Sequence, residues 1–244
     1  MPNRSPLFFA RIAVLGLAVL AFAMVCASGP FTRAEIWSWQ TGIAMLRYAT
    51  YVGLAAGLGA LILLVTLAVP AFRTHKWVPI VSLALAAVAV TPPLLLLSTA
   101  KSVPRIHDIS TDLTEPPAFV ALLEARKTAP NGVAHKGATL AEEQRKGYPE
   151  LKTLVLPTPP AATVQKAIDA ARSMGWDVAA VDSAGGRIEA TDTTLWFGFK
   201  DDVVVRIRPE GAGSRVDVRS MSRVGLSDLG ANAARIRKFL AKLA

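Results

Sequence analysis

IAMLRYATYVGLAAGLGALILLVTLAVPAF, residues 43–72, carries a single charge, Arg47, near its start. A helix needs roughly 20 consecutive apolar residues to cross the hydrocarbon core of a bilayer, and this stretch exceeds that length. Residues 7–27 and 77–98 read the same way. Arg11 and Arg47 lie near the ends of the first and second stretches, where a long side chain can snorkel to the interface. Three such runs in succession point to a three-span membrane anchor over residues 1–100 rather than to a soluble core.

Basic residues set the expected orientation. Arg4 and Arg11 precede or open the first span, and Arg73, His75 and Lys76 fill the turn between the second and third. The loop 28–42 carries Arg33 and Glu35, which cancel. The positive-inside rule then puts the N-terminus and the 73–76 turn in the cytoplasm. Trp37 and Trp39 would sit at the outer interface, and everything after residue 98 would be extracytoplasmic. Lys101 and Arg105 pull weakly the other way. The expected location is therefore a bacterial inner (plasma) membrane, with a periplasmic C-terminal domain. Val25-Cys26-Ala27 also offers a signal-peptidase-like site, so the first span reads either as retained or as cleaved. A lipoprotein reading fails, because Met24 and Val25 precede Cys26.

Gly53 and Gly57 form a GxxxG spacing, with Gly59 and Ala60 beside it. Such a face lets helices approach closely, either within this bundle or between two copies. Pro92 and Pro93 fall midway through the third span, where missing donors predict a kink. No span carries the buried acid that an ion pathway usually needs, which argues against a transporter.

The net charge of +9 divides unevenly. Residues 1–100 hold six Lys and Arg against one acid, and the remainder holds 21 against 17. The second excess is modest and does not call for nucleic acid. Cys26 is the only cysteine, so the outer domain has no disulfide. Its roughly 140 residues are enough to build a core.

Residues 101–150 read as an extended segment, a short helix at 118–126 and a polar surface excursion at 128–148. Residues 151–244 read as the domain core. Strands are expected at 151–156, 176–181, 187–191, 202–208 and 214–221, with Gly185-Gly186 and residues 210–213 as hairpin turns. Helices are expected at 159–174 and 228–243, the latter capped by Ser227. The fold class is a membrane-anchored α+β protein, a two-layer domain with an antiparallel sheet backed by helices. Val203, Val205 and Ile207 alternate with Val204, Arg206 and Arg208, and Val216 and Val218 alternate with Arg215, Asp217 and Arg219. One face is thus apolar. The other bears Arg206, Arg208, Arg215 and Arg219, offset by Glu189 and Asp217: either a solvated, ion-paired face or a basic surface for anionic headgroups or an acidic partner.

Ile106-His107-Asp108-Ile109-Ser110-Thr111-Asp112 followed by Pro116-Pro117-Ala118-Phe119 resembles the opening of the bacterial and plastid family called domain of unknown function 1499. Gly186-Arg187-Ile188-Glu189-Ala190-Thr191-Asp192, Phe197-Gly198-Phe199-Lys200-Asp201-Asp202-Val203 and Arg219-Ser220-Met221-Ser222-Arg223-Val224-Gly225-Leu226-Ser227-Asp228 are similar to its later blocks. The resemblance covers about residues 105–243. It implies one folded unit that includes the extended segment, and no activity.

The candidate ligand or partner residues are Asp192, Trp196, Phe197, Arg219, Ser222, Arg223, Asp228 and Asn232, with Asp201, Asp202 and Ser227 nearby in the sequence. The 222–227 loop leading into a helix could receive an anion, although Asp228 would repel it. The alternative is structural, with Ser227 capping and Arg223 pairing to Asp201, Asp202 or Asp228. Asp201 and Asp202 would point to opposite faces of a strand, which is wrong for a shared proton. His107 and His135 lack a partner nucleophile. His107, Asp108 and Asp112 lack a second His or Cys at metal-ligand spacing. No catalytic, cofactor or metal residues are therefore assigned. Trp176, Trp196, Phe197 and Phe199 could line a cavity or pack a core, and residues 195–199 could lie exposed as a membrane or partner contact. The leading expectation is an extracytoplasmic binding module for membrane lipids or an envelope protein partner. An enzyme acting on envelope lipid or glycan and a membrane-complex assembly factor are the alternatives.

Overall fold

A computed structural model of the chain describes residues 5–73, 75–134 and 137–244. Arg4 and His135, used above for topology and chemistry, lie outside the described residues. Two compact units result. One is Met1–Ser98 with Leu195–Gly198, and the other is Thr99–Thr194 with Phe199–Ala244.

The first unit is built on α1 (Pro6–Arg33), α2 (Trp39–Thr66) and α3 (Trp77–Ser102), whose most apolar windows have mean hydropathies of 2.4, 2.0 and 2.4. Each is long and apolar enough to cross a membrane. Ser5 caps α1 by accepting from the Phe8 amide, and Ser38 caps α2 by accepting from Thr41. The helices outrun their expected limits. α1 continues through Pro30, and the connection to α2 shrinks from residues 28–42 to 34–38. The Ser28 and Thr32 hydroxyls donate to the carbonyls of Val25 and Ser28 at 2.7 and 2.6 Å, which ties down this last turn. α3 likewise runs on through Pro92 and Pro93.

Small residues hold the helices together. Ala18, Ala21, Ala49, Ala56, Ala60, Ala86 and Ala89 are buried, whereas Leu54, Leu58, Ile62 and Leu97 are exposed. Large apolar side chains outside and small ones inside is the pattern of helices that associate in lipid. A Cβ on Gly53 would lie 2.8 Å from Val90, one on Gly57 3.6 Å from Ala86, and one on Gly59 2.8 Å from Val14. The GxxxG face is therefore covered by α3 of the same chain. Arg11 is buried and donates to the Phe72 carbonyl at 2.5 Å, next to the turn between α2 and α3.

The second unit is an open antiparallel sheet with helices. Its strands are β1 (Asp108–Ser110), β2 (Leu154–Leu156), β3 (Asp177–Asp182), β4 (Arg187–Thr193), β5 (Lys200–Glu210) and β6 (Gly213–Ser222). The order is β1-β6-β5-β4-β3, with β2 also on β6. Gly211 takes φ 58° in the two-residue turn between the paired Glu210 and Gly213, a geometry that favours glycine. α6 (Pro160–Ser173) and α7 (Ala231–Leu243) cover the apolar face. Trp176 stacks on Phe239 there, with ring centroids 5.0 Å apart.

Two local expectations change. Residues 128–148 are not an irregular excursion, because α5 (Gly137–Gly147) occupies half of them. Its Gln144 is fully buried, accepting from the Ser110 amide at 3.0 Å and donating to the Ser110 carbonyl at 2.6 Å. A side-chain amide thereby caps the open edge of β1. The helix expected at 118–126 shortens to α4 (Leu123–Arg126). Phe119 and Leu122 pack on Val204 and Met221, so the chain leading into α4 lies over the second face of the sheet.

Candidate functional site

The alternation of β5 and β6 sorts the candidate residues onto two faces. On the helix-covered face, Asp192 of β4 is paired in register with Asp201 of β5, and Asp201 with Ser222 of β6. Arg235 of α7 reaches all three strands. Its Nε donates to Asp192 at 2.7 Å, its Nη2 to Asp201 at 2.6 Å and its Nη1 to Ser220 at 3.0 Å. One turn earlier, Asn232 donates to the His107 carbonyl and to Ser222 Oγ, both at 3.0 Å, and accepts from Ser220 at 2.6 Å and from Arg235. Asn232 is fully buried, and its amide ties β6 and α7 to the residue preceding β1.

On the opposite face, Asp202 accepts from Arg126 at 2.7 Å, from Arg223 at 2.8 and 2.9 Å, and from Thr191 at 2.8 Å. Burial opposes ionisation of Asp202, but these donors outweigh it and hold its pKa below the usual value. Arg126 is itself fully buried, and burial lowers its pKa against the pull of Asp202. Arg219 grips Asp108 through two bonds of 2.9 Å. The Phe119 ring lies 5.2 Å from both the Arg126 and the Arg219 guanidinium centres, within cation–π range. Glu189 is buried and accepts the amides of Val120, Ala121 and Leu122 at 3.0–3.1 Å, pinning this segment to the sheet.

The four arginines of that face form the ion-paired face of the two readings rather than an open basic surface: Arg219 is buried, whereas Arg208 and Arg215 keep contact with solvent. Arg206 pairs with Asp112 and Asp217, and Arg208 grips Glu115 at 2.8 and 2.9 Å. Arg215 lies 3.4 Å from Asp217. The Arg208 hydrogen bond pulls Glu115 down to about 2.

The candidate cluster is thus two separate networks, with Asp192, Ser222 and Asn232 above the sheet and Arg219 and Arg223 below it. The anion-receiving loop also reads differently. Leu229 and Gly230 take φ 55° and 82°, so α7 starts at Ala231 rather than at 228. Asp228, not Ser227, caps it: the carboxylate accepts the amides of Gly230 and Asn232 at 2.9 and 2.8 Å. The Gly230 and Asn232 amides at the start of α7 are therefore already used. Burial raises the Asp228 pKa despite these two amides. Trp196 and Phe197 belong to neither network; they group with the helices of the first unit.

Sequence reasoning missed Arg126, Arg235, Gln144 and the role of Glu189. Arg235 alone carried a usable signal, since it sits three residues after Asn232 on one helix face. Among the described residues, no group of three or more His, Cys, Asp or Glu is arranged to hold a metal ion.

The second unit also holds a cleft of about 280 Å³, lined by Arg105, Ile106, His107, Thr139, Leu140, Glu143 and Leu226. Leu226 is 61% exposed there. The cleft therefore offers apolar wall beside a cation and a carboxylate.

The family model described as "Protein of unknown function (DUF1499)" matches residues 108–243. The chain belongs to the DUF1499 family. The match begins at the first residue of β1 and ends with α7, so the DUF1499 region includes the segment that covers the second sheet face. Both buried networks lie wholly inside it, apart from the His107 carbonyl. No curated protein matches the chain.

Proposed function

We propose that this protein is a membrane-anchored binding module of the bacterial envelope that takes up a lipid at the membrane surface. α1, α2 and α3 cross the plasma membrane with the N-terminus in the cytoplasm, and the DUF1499 domain lies on the outer side. The observation that carries this reading is the commitment of the charged cluster. The carboxylates and guanidiniums of Asp108, Asp192, Asp201, Asp202, Arg126, Arg219, Arg223 and Arg235 are engaged by protein partners in the folded domain. Acid–base catalysis needs a group within reach of substrate, and these are spent on structure.

What the domain offers a ligand is the Arg105–Leu226 cleft, which suits an amphipathic molecule: a cation for a headgroup phosphate beside apolar wall. Arg105 follows the end of α3 by three residues, so chain length keeps it within about 10 Å of that end. The assembly-factor alternative loses its proposed surface, because Gly53 and Gly57 face α3.

A photo-crosslinking residue at Leu226 of the full-length chain in native membranes tests this. Lipid adducts above those at exposed Glu210 support the reading. A protein adduct would replace lipid by a protein partner, and equal labelling at both positions would contradict a ligand at the cleft.

A further inference from the structure

The connection between β4 and β5 is six residues long, Thr194–Phe199. The Thr194 amide donates to the Phe199 carbonyl at 2.8 Å, and the Phe199 amide to Thr194 Oγ1 at 2.9 Å, closing its base. The four residues between, Leu195–Gly198, belong to the helical unit. Glycines make room for them. A Cβ on Gly29 would lie 2.1 Å from the Trp196 ring, and one on Gly42 3.1 Å from Phe197. Phe197 packs on the cluster of Ala21, Val25, Leu46, Ala49 and Ala89. Arg33 donates to the Leu195 carbonyl at 2.5 Å. Gly198, at φ 69°, turns the chain back against Arg33, where a Cβ would meet Arg33 Cγ at 2.8 Å.

The seat holds one side of the loop and leaves the other open. Leu195 is 85% exposed and Trp196 45%. Phe31 and Ile36 are exposed at the same end of α1, and the Phe31 ring lies 5.0 Å from that of Trp37. The depth of this end follows from helix length. The 21 residues 7–27 rise about 31 Å at 1.5 Å each, which matches a hydrocarbon core of roughly 30 Å. Gly29 and Arg33 then fall just past the core, at the headgroup boundary. Tryptophan and a snorkelling arginine belong at that level.

We propose that Leu195–Gly198 is a membrane-interface element: Phe197 and one side of Trp196 are seated on α1 and α2, and Leu195 and the open side of Trp196 contact lipid of the outer leaflet. The loop is seated on α1 and α2, whose outward side chains such as Leu20, Leu54 and Leu58 are apolar and exposed, and a bilayer is the occupant that covers such helices. The proposal rests on the reading of α1–α3 as membrane spans.

The test is a nitroxide on Leu195→Cys in a full-length Cys26→Ser background, in phosphatidylglycerol–phosphatidylcholine vesicles. Collision with oxygen is compared with collision with a water-soluble nickel chelate. Leu61→Cys, exposed on α2, reports the bilayer core, and Glu210→Cys, exposed at the β5–β6 turn, reports water. The proposal expects an oxygen-to-nickel ratio at 195 between the two controls and several-fold above that at 210. A ratio at 195 equal to that at 210, with 61 in lipid, overturns the proposal and leaves the spans intact. A watery reading at 61 overturns the spans and the proposal together.

Discussion

Replacing Arg126 by Met removes the most enclosed cation of the domain while keeping most of the side-chain bulk. Arg126 and Asp202 are both fully buried and 2.7 Å apart. The same guanidinium also donates to the carbonyls of Gly132 at 2.8 Å, Met221 at 3.0 Å and Ser222 at 3.3 Å. Breaking a buried pair from one side costs about 3–5 kcal/mol, because the remaining charge stays desolvated. Arg223 still holds both oxygens of Asp202, which puts the loss near the lower end, about 3 kcal/mol. Amide hydrogen exchange on the full-length chain in detergent reads this directly. The β5 and β6 amides should exchange about 10²-fold faster, since each 1.4 kcal/mol of opening free energy is a factor of ten. Arg237→Met is the reference, because its pair with Glu150 is about half exposed and such pairs contribute about 0–1 kcal/mol. If Arg126→Met exchanged no faster than Arg237→Met, the view of these charges as the ties of the fold would be refuted.

Gln144→Leu should destabilise the domain by about 1–3 kcal/mol, the cost of leaving the Ser110 amide and carbonyl buried without partners; urea unfolding of the full chain measures it. Gly53→Leu should lower the melting temperature in detergent without creating or removing a dimer, because its Cβ meets Val90 of the same chain at 2.8 Å; a loss of dimer on gel filtration would contradict this. Gly29→Leu should expel the Trp196 ring, whose Cδ1 lies 2.1 Å from the added Cβ, and move a nitroxide at 195 into water. Acid should weaken the domain as pH falls from about 4.5 toward 2. Glu115, drawn down to about 2 by Arg208, and Asp202, lowered by Arg223, Thr191 and Arg126 against its burial, are stabilising above their unfolded pKa values and lose this on protonation. Asp228 acts oppositely, since burial raises its pKa and its protonation favours the folded state. A urea midpoint unchanged down to pH 2 would contradict the ion-pair account.

The legible parts of the sequence were those written in local periodicity. Three long apolar runs, with Arg11 and Arg47 near the ends of two of them, marked α1–α3, and the alternation from Val203 to Ile207 separated the two sheet faces, which also placed Asp201 and Asp202 back to back. α5 was hidden because it is polar and buries little besides Leu140, Ala141 and Gln144; its hold on β1 is a hydrogen bond, which has no periodic signature. The end of α1 was hidden because Ser28, Gly29 and Pro30 read as breakers, while Ser28 and Thr32 bond back along the helix. Of the pairings in the candidate cluster, the short-range one of Arg223 with Asp202 was legible as the structural alternative, and the long-range ones were not. Arg126 lies 76 residues from Asp202 and Arg219 lies 111 from Asp108, so nothing local announced that their charges were already paired.

Native mass spectrometry of the intact chain, released from detergent micelles, tests the central claim most directly. The account predicts a phospholipid-sized increment on the folded protein that disappears in Leu226→Asp. A folded wild-type chain of bare polypeptide mass, unchanged by that substitution, would contradict it.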